Sequence, residues 1–327
     1  MQEQAWIILE KSGKQVMNQQ GWANHQPYGK KLADNQKQAF EILAPAQWCV
    51  PMVFSSPHSG RVVPADLGRL TRLPLAHLHR SEDCFVDELF SFCLDLGAPM
   101  LRALFSRAYV DLNREPYEFD AQMFQETLPG YMNPTSPRVQ AGLGTLPRIV
   151  AEGEEIYRGR IPLQEALARI EGCYRPYHRA LTSLLAELQA ATDFSLLIDC
   201  HSMPSSSVSH LRSANQRSID VVLGDRFGAA CNRDITATLE HALEAQGLLV
   251  VRNRPYAGGF ITETHGSPRH NRHAVQIEVN RSLYMDERKM EKTKGFSELR
   301  ESLSRAFQSL AAFLPGIESS PTHKAAE

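Results

Sequence analysis

The stretch Phe194-Ser195-Leu196-Leu197-Ile198-Asp199-Cys200-His201-Ser202 determines the class of fold that we predict. Its first five residues are mostly apolar and have the length of a buried β-strand. Polar residues then follow at the carboxyl end, where open α/β sheets bind their ligands. We therefore predict a buried strand over 194–198 that delivers Asp199, His201 and Ser202 to a ligand site.

A long amphipathic helix is predicted immediately before this strand. Pro162 is typical of a first helical turn, and apolar residues then recur at helical spacing. These positions are Leu167, Ile170, Tyr174, Tyr177, Leu181, Leu184 and Leu188. The pattern ends near Thr192, so the helix leads directly into the predicted strand.

Strand-length apolar segments alternate with helical segments along the rest of the chain. Further strands are predicted at 52–55, 100–105, 108–112, 220–223, 248–251 and 274–279, and further helices at 84–97, 229–246 and 293–313. This alternation is typical of an α/β domain whose sheet is covered by helices on both faces. Residues 115–160 are rich in Pro and Gly and predict a long irregular excursion, which in a compact domain is often a lid or a binding loop.

Three regions are predicted along the chain. Residues 1–45 are rich in Gln, Asn and Lys and lack a sustained apolar period, which predicts a partly ordered N-terminal extension. Residues 46–317 carry the α/β pattern, and we interpret them as a single domain because candidate site residues come from both halves. Residues 318–327 are polar and predict a frayed tail.

Charge and composition exclude several classes of partner. The 35 Lys and Arg residues nearly balance the 37 Asp and Glu residues, whereas a nucleic-acid-binding protein normally has a basic excess. No window holds the roughly 18 apolar residues that a membrane span needs. The N-terminus lacks the basic and apolar regions of a secretion signal, and the six cysteines form no CxxC pair. We therefore expect a cytoplasmic protein that binds a small molecule and neither nucleic acid nor a membrane.

The chain contains none of the common local signatures of catalysis or nucleotide binding. The motifs GxGxxG, GxxxxGKS/T, GxSxG and HExxH are all absent. Residues that could carry chemistry instead follow predicted strands at His58 and His201, precede a predicted helix at Glu82 and Asp83, and lie within a strand at Glu278. Two imidazoles and one carboxylate suit a catalytic zinc, although a histidine at a strand end is also commonly a hydrogen-bonded structural residue.

The string Val110-Asp111-Leu112-Asn113-Arg114 adds a resemblance. Together with His201 at a strand end and Glu278 on a late strand, it resembles the zinc carboxypeptidase superfamily in residue type and order. In that superfamily the Asn-Arg pair binds the substrate carboxylate, the His is a zinc ligand and the late Glu is the general base. One feature departs from that pattern, since Arg61 lies three residues after His58, where the superfamily has the Glu of an HxxE ligand pair.

Seven ordered blocks are similar to a narrower family, the N-formylglutamate amidohydrolases, over residues 48–312. The blocks are SSPHSGRVVP (55–64), SEDCFVDELF (81–90), SRAYVDLNREP (106–116), YRPYHRAL (174–181), DCHSMP (199–204), YAGGFITETHG (256–266) and HAVQIEVNRSLYMDE (273–287). The resemblance implies a three-layer α/β/α fold with a mixed, largely parallel sheet, like that of the zinc exopeptidases. It also implies hydrolysis of N-formyl-L-glutamate to formate and L-glutamate, a last step of some histidine degradation routes.

The same resemblance implies a metal site made by His58, Asp83 and His201. The metal would be divalent, with zinc as the first choice, although nitrogen and oxygen ligands also suit manganese or iron. Glu82 and Asp87 are alternative carboxylate ligands, since Asp87 would share a helix face with Asp83 four residues earlier. Asp83 could equally cap the helix that follows it.

Further roles implied by the resemblance concern the substrate. Glu278 would be the general base, unless it forms an ion pair with Arg281 or Arg114. Asn113 and Arg114 would bind substrate carboxylates, because a guanidinium binds a carboxylate through two parallel hydrogen bonds. Arg107 is predicted to bind a second carboxylate or the developing oxyanion, or to form an ordinary salt bridge.

Four more residues complete the predicted site. His178, on the long helix, is predicted to act in catalysis or to hydrogen-bond in the core. Gly259 would let the backbone approach the substrate closely, with Thr262 on the far side of the same loop. Asp111 is predicted to orient Arg114 or a ligand histidine. The alternatives for the whole chain are a related deacylase or carboxypeptidase with a different acyl group, and a non-catalytic binder of acidic amino acid derivatives.

Overall fold

The computed structural model of this protein describes residues 39–150, 153–211 and 218–318. A seven-stranded mixed β-sheet lies at the centre of the molecule. Its strands are β1 (Phe40–Leu43), β2 (Met52–Ser56), β3 (Met100–Ala103), β4 (Ser195–Met203), β5 (Val221–Gly224), β6 (Val250–Arg252) and β7 (Arg272–Asn280). A separate two-stranded hairpin is formed by β8 (Met285–Asp286) and β9 (Glu291–Lys292).

The strand order in the large sheet is β1-β3-β2-β4-β7-β5-β6. Strands β3, β2, β4 and β7 run parallel to one another, whereas β1 is antiparallel to β3 and β5 is antiparallel to β7. Strand β6 runs parallel to β5. The predicted mixed, largely parallel sheet is therefore confirmed. Because parallel strands end at the same edge of a sheet, the carboxyl ends of β2, β4 and β7 meet there.

Helices cover both faces of the sheet. They are α1 (Ala65–Leu70), α2 (Leu75–Leu78), α3 (Val86–Leu89), α4 (Pro137–Gln140), α5 (Leu163–Arg169), α6 (Arg175–Thr192), α7 (Arg233–Glu244), α8 (Phe260–His265) and α9 (Gly295–Glu318). A π-helical turn at Ile170–Tyr174 joins α5 to α6. The long helix predicted before β4 is thus confirmed as one helical segment with a local change of period.

Alternate residues of each central strand point to opposite faces of the sheet. On one face, Ile198 of β4 belongs to a core with Phe307 of α9 and Leu239 of α7. On the other face, Leu197 belongs to a second core with Tyr177 of α6. These two cores define three layers, with helices on either side of the sheet, as predicted.

Two sequence-based predictions near the site are wrong. The predicted helix at 84–97 is only the four-residue α3, followed by a 3-10 turn at Ser91–Cys93. Phe85 has a φ of 65°, a left-handed conformation that an α-helix does not contain, so the helix begins after it. The predicted strand at 108–112 is an irregular segment. Apolar residues alternate along it because Ala108, Val110 and Leu112 are buried in the core that also contains Tyr177 of α6.

The remaining regions follow the sequence in part. The predicted excursion at 115–160 is largely irregular and contains the short helix α4. Strand β1 lies within the residues assigned to the N-terminal extension, and it extends the sheet by pairing with β3. The rest of that extension, up to residue 38, and the tail from residue 319 lie outside the described residues. None of the described helices is long and apolar enough to cross a membrane.

Candidate active site

Neighbouring strands bring the predicted site residues to one edge of the sheet. His201 lies on β4 and is paired in register with Glu278 on β7. His58 follows β2, which pairs with the other side of β4. The segment that carries Asp83 is joined to them, because the N–H of Asp83 donates to the carbonyl oxygen of His58 at 3.0 Å. All four side chains are buried, so the structure brings these predicted residues together.

His58, Asp83 and His201 form a cluster with the geometry of a metal site. One nitrogen of each imidazole and one oxygen of Asp83 all lie within 4.8 Å of one another. Nδ1 of His201 lies 2.9 Å, and Nδ1 of His58 lies 3.4 Å, from Oδ2 of Asp83. Nδ1 of His58 is buried and has no hydrogen-bond partner among the described residues. Since a buried polar atom without a partner is costly, these donors fit a divalent metal that would complete the cluster.

Two further carboxylates contact the imidazole nitrogens that do not face Asp83. Nε2 of His58 lies 2.8 Å from Oδ1 of Asp111, and Nε2 of His201 lies 3.0 Å from Oδ2 of Asp199. These contacts leave Nδ1 of each ring facing Asp83. Carboxylates in this position set the orientation of the ring and make the facing nitrogen a better metal ligand. The geometry fits the prediction that Asp111 orients a ligand histidine.

The three carboxylates that the sequence offered as ligands have different partners in the fold. Asp83 faces the two imidazoles. Both carboxylate oxygens of Glu82 lie 2.9 Å from Nδ1 of His79. Asp87 forms an ion pair with Nη1 of Arg102 at 2.8 Å. The geometry therefore favours Asp83 as the carboxylate ligand.

Asp83 is itself held by an arginine. Its Oδ1 accepts a hydrogen bond from Nη2 of Arg281 at 3.0 Å, while Nε of Arg281 donates to Oγ of Ser202 at 3.1 Å. Burial acts to raise the pKa of Asp83, but the hydrogen bond from His201 and the proximity of the His58 imidazole hold that pKa well below its usual range. Asp83 is therefore ionised, as a metal-binding carboxylate must be.

Glu278 is a buried carboxyl group beside this cluster. Its Oε1 accepts a hydrogen bond from Nε2 of Gln276 at 2.9 Å. The ion pair with Arg281 that the sequence allowed is replaced by the pair between Arg281 and Asp83. The alternative of Asp83 as a helix cap is also not observed, because the N-cap residue of α3 is Phe85. Burial raises the pKa of Glu278 to about 7, which suits a group that takes up and releases a proton near neutral pH.

Asn113 is buried and connects the cluster to the glycine loop. Its Nδ2 lies 3.1 Å from Nε2 of His201 and 3.3 Å from Oδ2 of Asp199. Its Oδ1 accepts a hydrogen bond from the N–H of Ile261 at 2.8 Å. A Cβ at Gly259 would lie only 2.4 Å from this Oδ1. The amide of Asn113 is thus committed to protein groups, so the geometry favours a positioning role over the predicted substrate contact.

The two other predicted substrate residues are oriented by protein groups. Nε of Arg107 donates to Oδ2 of Asp111 at 2.9 Å, and its two terminal nitrogens have no hydrogen-bond partner within the described part of the chain. Arg114 donates from Nε to the carbonyl oxygen of Leu143 and from Nη1 to that of Asn113. Its Nη2 lies 3.7 Å from Asp111. The terminal nitrogens of Arg107 are therefore more accessible to a ligand than those of Arg114.

Two predicted site residues, His178 and Thr262, do not line the pocket. His178 donates from Nε2 to the carbonyl oxygen of Leu112 at 2.9 Å and packs against the ring of Tyr174. Burial lowers the pKa of His178 to about 4, so this partly buried imidazole is neutral. Thr262 is fully buried on α8, beneath Gly258. Both side chains lie on helices and point toward the interior of the protein, outside the pocket lining.

A pocket of about 650 Å³ contains the cluster and opens to solvent. Five arginines and three carboxylates line it, so its wall carries an excess of positive charge before any metal binds. These residues are Arg80, Arg107, Arg114, Arg138, Arg281, Asp83, Asp111 and Glu278. Gly259 also lies in the wall, where its N–H donates to Oε1 of Gln276 at 2.8 Å. A pocket with this charge favours an anionic ligand.

Sequence reasoning missed Gln276 and Arg138, and it placed Asp199 at the site without a role. Asp199 and Gln276 lie two residues before His201 and Glu278 on their strands. The two-residue period of a strand places each pair on one face, so the sequence did carry this signal. Arg138 had no such signal, because it reaches the pocket from the irregular excursion.

Comparisons with known sequences agree with this geometry. A protein family model described as N-formylglutamate amidohydrolase matches residues 50–285. An N-formylglutamate deformylase of Pseudomonas aeruginosa is 34% identical over 252 residues, which cover 76% of this chain and 86% of the relative. An N-formylglutamate deformylase of Pseudomonas putida is 32% identical over 250 residues, with the same coverage of both chains.

Solved structures support the same relationship. The crystal structure of N-formylglutamate amidohydrolase from Ralstonia eutropha JMP134 matches with a TM-score of 0.79 at 31% identity, over 84% of this chain and 98% of that one. The gene product Atu2144 from Agrobacterium tumefaciens, at 21% identity, shares the fold with a TM-score of 0.58, over 84% of this chain and 96% of that one. The family model and these relatives define an amidohydrolase. The chain belongs to the N-formylglutamate amidohydrolase family, which confirms the resemblance carried by its seven sequence blocks.

Proposed function

We propose that this amidohydrolase cleaves N-formyl-L-glutamate into formate and L-glutamate. The observation that carries the proposal is the cluster of His58, Asp83 and His201 beside the buried carboxyl group of Glu278. The excess of arginine around them suits a substrate with two carboxylates. The names of the relatives support the particular acyl group and amino acid. In a histidine degradation route this reaction would be a last step, and six free cysteines suit the cytoplasm.

His58, Asp83 and His201 would hold one divalent metal. Zinc is the first choice, because two imidazoles and one carboxylate are a frequent catalytic zinc set. Nδ1 of His58 has no hydrogen-bond partner in the described ranges, which supports this choice of ligand atom. When bound, the metal would supply Lewis acidity toward the formyl carbonyl and the attacking water. Asp111 and Asp199 would keep the two imidazoles in their ligand orientation.

Glu278 would carry the proton through the reaction. One of its oxygens accepts a proton from the attacking water, and the same oxygen then donates that proton to the nitrogen of glutamate as the carbon–nitrogen bond breaks. Gln276 hydrogen-bonds to Oε1 of Glu278, which leaves Oε2 for this transfer. A pKa of about 7 for Glu278 supports both uptake and release of the proton.

Two arginines would bind the negative charges of the substrate. Arg107, whose Nε is held by Asp111, presents its terminal nitrogens to the oxyanion that develops at the formyl group. Arg114 presents Nη2 to the α-carboxylate, because its other nitrogens are held by backbone carbonyl groups. Both guanidinium groups are oriented before the substrate arrives, which reduces the entropic cost of binding.

Formate release by the metal-loaded enzyme tests this function. We expect N-formyl-L-glutamate to be hydrolysed with a higher kcat/KM than N-acetyl-L-glutamate or N-succinyl-L-glutamate. Chelation should abolish the activity until a divalent metal is restored. Preferred hydrolysis of another acyl group would make the protein a related deacylase. Binding of N-formyl-L-glutamate without formate release would make it a non-catalytic binder, and full activity after complete metal removal would exclude the metal site.

A further inference from the structure

The excursion at 115–160 supplies one part of the pocket that the proposed reaction does not use. Arg138, on α4, lines the pocket together with the apolar residues Leu143, Pro147, Ile149 and Val150. We name these five residues the excursion wall. They combine an apolar surface with one cation, whereas the metal cluster and its surroundings are polar and charged.

The excursion wall is tied to the catalytic centre by hydrogen bonds. The N–H of Asp111 donates to the carbonyl oxygen of Thr145 at 2.7 Å. Nε of Arg114 donates to the carbonyl oxygen of Leu143 at 3.0 Å. Asp111 also contacts the imidazole of His58. It therefore connects the excursion wall to the cluster of His58, Asp83 and His201. The distance between them is therefore set by the fold.

Arg138 makes fewer hydrogen bonds to protein groups than Arg281, which lies nearer the cluster. Arg281 is committed to Asp83 and Ser202 through two of its nitrogens. The side chain of Arg138 is 40% exposed, and its Nη1 lies 3.7 Å from Oε2 of Glu118. This contact is an ion pair too long for a hydrogen bond, so the side chain of Arg138 donates no hydrogen bond to another residue in the described part of the chain.

We propose that the excursion wall binds the side chain of the substrate, with Arg138 pairing with its terminal carboxylate. This inference rests on the proposed hydrolysis of N-formyl-L-glutamate. The apolar residues would contact the methylene groups of that side chain, and guanidinium donors form strong charge-assisted hydrogen bonds with a carboxylate. The wall would therefore select N-formyl amino acids with an acidic side chain over those with a neutral one.

Arg138→Gln tests this selection when it is assayed with N-formyl-L-glutamate and N-formyl-L-glutamine. The two substrates are nearly identical in shape and differ by one charge. We expect kcat/KM for N-formyl-L-glutamate to fall about 10- to 100-fold, mainly through KM, because a hydrogen bond to a charged group is lost. The value for N-formyl-L-glutamine should stay within about threefold of wild type. Arg138→Lys keeps the charge and should restore part of the preference.

Arg160→Gln is the matched control, since Arg160 is exposed on the same excursion and lies outside the pocket lining. Its kinetics should be those of wild type. Arg138→Met repeats the test if Arg138→Gln fails to fold by circular dichroism. Equal losses on both substrates, or no loss on N-formyl-L-glutamate, would overturn the inference alone. A wild-type enzyme that releases formate from neither substrate would overturn the proposed function and the inference with it.

Discussion

His201 and Glu278 lie directly opposite each other on the paired parallel strands β4 and β7. Asp199 and Gln276 form the preceding pair on the same face of the sheet. Two central strands therefore supply four residues of the candidate site. They are the candidate metal ligand His201, the carboxylate of Asp199 that contacts it, the proposed proton carrier Glu278 and the amide of Gln276 that hydrogen-bonds to Glu278. Buried central strands are among the most stable parts of a domain, so the sheet sets the relative positions of these four side chains.

Asp83→Asn should remove tight metal binding. Loss of the anionic ligand should weaken the metal affinity by more than about 100-fold. Residues that only hydrogen-bond to a metal ligand already contribute about 10- to 100-fold to that affinity. Asp87→Asn is the matched control, because Asp87 faces Arg102 and should keep the wild-type affinity. Competition with a chromophoric chelator measures both. A larger loss in Asp87→Asn than in Asp83→Asn would show that the carboxylate ligand is misassigned.

Asp111→Asn should weaken metal binding without removing the site. The carboxylate of Asp111 holds Nε2 of His58 at 2.8 Å, and partners in this position contribute about 10- to 100-fold to metal affinity. The metal stoichiometry at saturation should remain that of wild type. Asp199→Asn should behave in the same way through His201. Unchanged affinity in both variants would mean that these carboxylates do not support the ligands.

The central strands and the long helix were predictable because their signals are local. Strand-length segments rich in apolar residues mark β4 and β7, and one apolar face continues through α5 and α6. The segment at 84–97 has an equally regular pattern, yet Phe85 takes a left-handed backbone conformation that periodicity does not encode. The alternation at 108–112 reflects burial and not strand pairing.

Part of the candidate site was predictable because its residues are attached to those strands. His58, His201 and Glu278 were found because they lie at or near strand ends. Arg138 was not, since its position depends on how an irregular segment is tied to the rest of the protein. One such tie, the 2.7 Å hydrogen bond between the N–H of Asp111 and the carbonyl oxygen of Thr145, has no sequence signature.

Gly259→Ala should damage both stability and activity. The added Cβ would lie 2.4 Å from Oδ1 of Asn113, so Asn113 must move away from His201 and Ile261. We expect a loss of about 1–3 kcal/mol in the free energy of unfolding, which is typical of overpacking. Gly159→Ala is the control, because a Cβ there meets no atom within 4 Å. Urea unfolding and formate release measure the two effects, and equal behaviour of the variants would contradict the proposed packing.

Native stability should fall as pH decreases from 6.5 toward 4, because the partly buried imidazoles of His178 and His265 are neutral in the folded protein. Burial lowers the pKa of each to about 4, whereas an unfolded histidine titrates near 6.5. Between these values the unfolded chain binds more protons than the native protein, so unfolding becomes more favourable. His178→Gln removes one such group, and its free energy of unfolding relative to wild type should rise by about 2 kcal/mol between about pH 7.5 and about pH 5. Urea titrations that give a constant difference at the two pH values would contradict a neutral His178 in the folded protein.

The most direct measurement is the kcat of metal-loaded Glu278→Gln on N-formyl-L-glutamate, with the metal content determined on the same sample. The substitution keeps the shape of the side chain and removes the proton acceptor. We predict a full complement of metal and a kcat lower than that of wild type by about 100- to 10,000-fold, the usual contribution of a general base. A metal-replete variant that loses less than about tenfold in kcat would contradict the role of Glu278 as the proton carrier.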